Sequence, residues 1–168
     1  MRIVDLSMTV DECDSAPFAP EENYFKLRPI INWEDKGFVS NMVQMTVHVG
    51  THIDSPHHFF RDKPSIEQLP LEPMIGNAVV LDLSSRGTAR AGITPEDLAQ
   101  AEEKLKGNGI EIQSGEMLFL RTDWPKGRDT SDPSWWNDSP YLTREAAQWI
   151  VAGCGTKNLV PVRSFLLG

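Results

Sequence analysis

Ala78-Val79-Val80-Leu81-Asp82-Leu83 is an apolar, β-branched run of strand length, and it reads as a buried strand. Downstream, Thr94-Pro95-Glu96-Asp97 carries the marks of a helix start: a Thr cap, Pro in the first position and acids in the first turn. Leu98, Ala101 and Leu105 give that helix an apolar stripe, and Gly107 offers a stop. Residues 117–122 repeat the buried-strand pattern, Thr143-Arg144-Glu145-Ala146 opens a second helix that ends near Gly153, and residues 159–162 predict a third strand. A strand–helix–strand–helix–strand order of this kind predicts parallel pairing through right-handed crossovers. No GxGxxG or P-loop pattern follows any of these strands, so a nucleotide fold of the usual sort is not supported.

Upstream the pattern changes. Residues 2–6 read as a short first strand, residues 8–24 as a loop holding Pro17 and Pro20, and Phe25–Ile31 as a strand. Trp33-Glu34-Asp35-Lys36-Gly37 reads as a turn. In residues 40–48, Val43, Met45 and Val47 alternate with Gln44, Thr46 and His48, the period of a half-buried strand with His48 at the end of its polar face. This half predicts antiparallel or mixed pairing. The expectation is an α/β fold, a mixed β-sheet with flanking helices, in a single domain over residues 1–168.

Composition excludes several classes. With 40% hydrophobic and 24% charged residues, the chain reads as an ordinary globular protein. Apolar runs such as Met117-Leu118-Phe119-Leu120 stop at four residues, whereas a membrane span needs about 20. The net charge is −8 and the cations are scattered, so the basic stripe of a nucleic-acid binder is missing. No secretory pattern opens the chain, and Cys13 and Cys154 form no metal-type pair, which predicts a cytoplasmic protein.

All four histidines fall in one short segment, His48-Val49-Gly50-Thr51-His52-Ile53-Asp54-Ser55-Pro56-His57-His58. His48, His52, Asp54 and His58 share even parity, whereas His57 is odd and is expected to point away. An extended chain would hold His48 and His52 roughly 13 Å apart. Ligands of one ion must all approach within about 2.2 Å of it. The chain is therefore predicted to bend at Gly50 and to turn again at Pro56, carrying His58 back over the site. An HExxH-type helix is rejected, because Gly50 and Pro56 oppose one. Imidazoles with a carboxylate suit Zn, Mn, Fe or Ni, and three protein ligands leave positions open for water and substrate.

Together with Phe59 this segment matches HxGTHxDxPxHF at every fixed position and resembles the cyclase-like metal-dependent hydrolases, the family that includes bacterial kynurenine formamidase and isatin hydrolase. The resemblance extends through Asp5-Leu6-Ser7, Leu118-Phe119-Leu120-Arg121-Thr122 and the helix after Thr143. It implies metal ligands at His48, His52 and Asp54, a catalytic histidine at His58, and one divalent ion, Mn or Zn. It further implies a β/α sandwich, assembly as a homo-oligomer (dimer or tetramer), and hydrolysis of an amide-type C–N bond in a small, often aromatic substrate. An aromatic residue in the early Pro-rich loop packs on the substrate in the formamidase branch, and Phe18 is the nearest match, in place of Trp. Family members with two metals add a His and a Glu from the C-terminal region. This chain has no His after His58 and no Glu after Glu145, so a two-metal site is not expected from this chain alone; a one-metal site or a truncated, inactive member both fit, in a fold without the family's usual C-terminal elements.

Two other functions fit less of the pattern: an iron oxygenase built on His52-Ile53-Asp54, and a truncated, inactive member that only binds metal or ligand. Asp82 and Asp123 are candidates to orient a site histidine, with a solvated loop carboxylate as the plainer role. Phe59 and Phe60 are expected to anchor the site segment in the core. Thr51 is expected to bond its local backbone. The long connection 123–142 holds Trp124, Trp135, Trp136 and Tyr141, which suit either a substrate wall or ordinary packing.

Overall fold

The computed structural model describes residues 2–12, 25–113, 115–129, 132–152 and 164–167. Phe18, both cysteines and the expected strand at 159–162 lie outside them. The elements in chain order are β1 (Phe25–Ile31), α1 (Trp33–Lys36), β2 (Ser40–Met45), β3 (Ala78–Asp82), β4 (Gly92–Ile93), α2 (Pro95–Gly107), β5 (Met117–Arg121), α3 (Pro133–Asn137), β6 (Tyr141–Leu142), α4 (Arg144–Val151) and β7 (Ser164–Leu167). They divide into two compact units, Met1–Ile66 with Asp129–Asn137, and Glu67–Arg128 with Asp138–Gly168.

The second unit holds the parallel architecture that Ala78–Asp82 predicts. Strand β5 lies between β3 and β7 and is parallel to both, with Val79 opposite Leu118 and Leu120 opposite Leu166. The third parallel strand thus runs over Ser164–Leu167. Strands β4 and β6 form a separate short parallel pair. Helix α2 begins where its sequence says it must. Thr94 Oγ1 accepts from the Asp97 backbone N–H, and Asp97 accepts in return from the Thr94 backbone N–H, a reciprocal capping box with Pro95 behind it. Helix α4 is capped in the same sense by Thr143, whose hydroxyl accepts from the Ala146 N–H. The buried faces of these helices meet the sheet in one core: Val79, Leu81 and Leu83 from the β3 run, Leu118 and Leu120 from β5, Leu98 and Ala101 from α2, Ala146 and Ile150 from α4. The β3 run is buried on one face only, because Val80 is 41% exposed.

Connection 123–142 is less open than its length suggests, since α3 and β6 form within it. Trp124 is buried, with the Arg128 guanidinium 3.8 Å above its ring. Tyr141 is exposed, whereas Trp135 is buried.

In the first unit, β1 and β2 form an antiparallel ribbon pairing Phe25 with Met45 and Leu27 with Val43. The expected turn closes through one helical turn: Asn32 Oδ1 caps the Asp35 N–H, and Gly37 ends it at φ +72°, a left-handed conformation that glycine takes without strain. Two expectations fail here. Residues 2–6 make no strand, and just beyond them the Ser7 N–H donates to Asp5 Oδ1. Strand β2 stops at Met45, residues 46–48 lie outside the sheet, and β2 is exposed rather than half-buried.

Candidate metal centre

Strand β2 ends at Met45, and His48 lies in the turn that follows. Gly50 sits at φ +63°, the bend that the histidine spacing demanded. The turn returns the chain so that His48 Nδ1 and His52 Nε2 lie 3.2 Å apart. Asp54 follows, its Oδ1 3.1 Å from His48 Nδ1 and 3.5 Å from His52 Nε2. Pro56 then opens a 3-10 turn over Pro56–His58. This second turn brings the His58 ring to 4.4 Å from the His48 ring, centroid to centroid. Four side chains that an extended strand would spread apart thus converge, and His57 stays exposed with its backbone N–H on the Pro64 carbonyl.

The triangle His48 Nδ1, His52 Nε2, Asp54 Oδ1 has edges of 3.1, 3.2 and 3.5 Å. Donors placed 2.1 Å from one ion stand about 3.0 Å apart at a right angle and about 3.4 Å apart at the tetrahedral angle. Two of the observed edges lie within that interval and the third, 3.5 Å, just above it, so these three atoms fit around a single divalent ion with little movement. A second set also exists: His48, Asp54 and His58 offer ligand atoms that all lie within 4.8 Å of one another. The sets share His48 and Asp54 and differ in which histidine completes them. The set with His52 is the one whose measured edges match one ion's radius. The side chains are partly open to solvent, 29% for His48, 26% for His52 and 45% for Asp54, which leaves room for water and a substrate.

Three neighbouring expectations change. Phe59 and Phe60 do not anchor the segment: they are 77% and 62% exposed, because the 3-10 turn points them outward, and Phe59 stacks edge-on against His58 at 4.2 Å. Thr51 does not bond its local backbone. Its Oγ1 accepts from the Met8 N–H at 2.9 Å, across 43 positions of sequence. Asp82 and Asp123 are both engaged by Arg121. Asp123 takes Nε at 2.7 Å and Nη2 at 2.8 Å, and Asp82 lies 3.8 Å from Nη1 while accepting from the Ser84 N–H. Hydrogen bonds from Arg121 hold the Asp123 carboxyl below the usual carboxylate range, and hydrogen bonds from Ser84 do the same for Asp82. Residue types alone did not reveal the Gly50 carbonyl, which lies 2.9 Å from His52 Nδ1. A backbone acceptor leaves no letter in a sequence, and only the left-handed glycine beside the histidine hinted at it.

Fold and donor cluster together define an α/β protein with a candidate mononuclear metal centre. The family model named Cyclase matches residues 4–159, and the chain belongs to that family. The isatin hydrolase of Roseibium aggregatum is 30% identical over 116 residues, 65% of this chain and 43% of the relative. The kynurenine formamidase of Geobacillus thermodenitrificans is 35% identical over 83 residues, 49% of this chain and 39% of the relative. A solved isatin hydrolase A from Labrenzia aggregata, bound to benzyl benzoate, superposes with a TM-score of 0.73 at 28% identity, covering 89% of this chain and 63% of that one. The mixed α/β fold is thus similar to that of the isatin hydrolase, while the chain spans under half the length of the two curated relatives.

Proposed function

We propose that the chain is a metal-dependent hydrolase that cleaves an amide-type C–N bond, in an arylformamide or a cyclic amide, within a small aromatic substrate. The observation that carries this reading is the donor triangle of His48, His52 and Asp54, whose edges of 3.1 to 3.5 Å fit one ion. These residues would hold a divalent cation, Mn or Zn. Bound there, such an ion supplies Lewis acidity, polarising a carbonyl and making water acidic near neutral pH. His58 does the proton work. Its ring stands beside His48 and is exposed, so a ring nitrogen can accept the proton of the attacking water. As the C–N bond breaks, the same nitrogen returns that proton to the leaving amine. Phe18, outside the described residues, is the proposed aromatic contact for the substrate. The names of the relatives, isatin hydrolase and kynurenine formamidase, support the choice of bond.

The test pairs metal analysis with a substrate panel of an N-formylated aniline and a cyclic aryl amide such as isatin. His58→Ala is expected to bind metal as the parent does while turnover falls about 100- to 10,000-fold. Full turnover in that variant would remove His58 from the mechanism. Metal binding by the parent chain without turnover of either substrate class would favour a metal-binding scaffold instead.

A further inference from the structure

His52 is engaged through both ring nitrogens. Nε2 faces His48 Nδ1 and Asp54 Oδ1, while Nδ1 lies 2.9 Å from the Gly50 carbonyl oxygen. A carbonyl can only accept, so the proton belongs on Nδ1 and the lone pair on Nε2 is aimed into the donor triangle. This is the tautomer a ligand needs, and a fixed partner on the far nitrogen also fixes the ring plane. The direction of that carbonyl depends in turn on the Gly50 backbone. At φ +63° the residue occupies the left-handed region, and a Cβ built there would lie 2.5 Å from Val10 Cγ2. Val10 stands at the end of a stretch held to the same turn, because the Met8 N–H donates to Thr51 Oγ1 at 2.9 Å.

We propose that Gly50 and Thr51 are positioning residues for His52, with residues 8–10 as the wall against which their turn is set. Gly50 lets the wall approach and turns its carbonyl onto His52 Nδ1; Thr51 ties the wall in place. The inference rests on the reading of His52 as a metal ligand and adds to it a device outside the ligand set. It also gives residues 8–10 a role without a strand: they are recruited by one hydroxyl and one missing side chain.

The experiment titrates metal-free protein with cobalt(II) alone, reading its visible ligand-field bands, and then displaces the cobalt with zinc. Far-UV circular dichroism follows the fold in parallel. Gly50→Ala is expected to weaken cobalt binding about 10- to 100-fold and to change the bands, as loss of a ligand's outer partner does. Adding Val10→Ala to that variant removes the Cγ2 collision and should recover part of the loss, the strain of a left-handed alanine remaining. Thr51→Ser keeps the acceptor and should bind like the parent, whereas Thr51→Val should shift the bands and weaken binding. Should Gly50→Ala fail to fold, the Thr51 pair decides. Parent-like affinity and bands in both Gly50→Ala and Thr51→Val would overturn the positioning role while leaving the ligand set intact. Failure of the parent chain to bind either metal would instead overturn the ligand reading, and this inference with it.

Discussion

Asp54 Oδ1 is the shared corner of the donor triangle, within 3.5 Å of two histidine nitrogens. It brings the only negative charge among the proposed ligands, so it should dominate attraction for a dication. Asp54→Asn keeps the shape and one acceptor oxygen but removes that charge. Its zinc affinity, measured calorimetrically, should fall at least about 10-fold, given the charge-assisted character of the lost bond. An unchanged affinity would take Asp54 out of the ligand set. The two overlapping sets make a sharper comparison: His52→Ala should lose far more affinity than His58→Ala, and the reverse order would place His58 among the ligands. At this scale the convergence of the four side chains was largely legible in the sequence. His48, His52, Asp54 and His58 are chemically loud residues with shared parity, and Gly50 and Pro56 mark where the chain can turn. What stayed hidden is backbone and distance. The Gly50 carbonyl has no residue type, and the Met8–Thr51 bond joins positions whose letters say nothing of each other.

Helix α2 shows how an element can be read almost whole. Thr94, Pro95 and Asp97 act within one turn, so local chemistry alone places its start. The structure adds Arg86, which reaches Asp97 Oδ1 with Nε at 2.9 Å and Nη2 at 2.7 Å. Burial pushes the Asp97 carboxyl up, but the hydrogen bonds from Arg86 and Thr94 outweigh it and hold the group below its ordinary value. A depressed folded value means that the contribution to stability is complete above the unfolded carboxylate value of about 3.9 and is lost as pH falls through the folded value. Asp97→Asn should therefore flatten the acid limb of the stability curve below about pH 4. Asp97→Ala at neutral pH should cost about 1 to 2 kcal/mol, from a lost cap and a lost charged hydrogen bond. Urea melts from pH 3 to 7 would check both, and parallel parent and variant curves would refute the assignment. Ribbon β1–β2 marks the limit of such local reading. Alternation runs on through Val47 and His48, yet β2 ends at Met45 and the backbone turns at residues 47–48. Periodicity marks which residues share a face, and it does not mark where the pairing ends.

Across the whole chain, the donors lie in the first compact unit and the principal core in the second. A ligand that binds only folded protein stabilises it by mass action, so zinc at 100 times its dissociation constant should add about 2.7 kcal/mol. Hydrogen exchange should show that protection at residues 46–58, and a chelator should reverse it; exchange there that is indifferent to zinc would contradict the site. The ribbon raises the second question at this scale. One face presents Leu27, Val43 and Met45, each 45% or more exposed, and a two-stranded ribbon is marginal by itself. We propose that this face meets a second copy of the chain, in keeping with the homo-oligomer that the family resemblance implies. Every copy carries a net charge of −8, so copies repel at low ionic strength, while apolar burial is insensitive to screening. Association should consequently strengthen with salt. Light scattering should find a multiple of 18.8 kDa that grows between low and moderate salt, and Val43→Lys should return it to one chain's mass. A protein that stays at one chain's mass at every salt concentration would leave the ribbon face without a second copy.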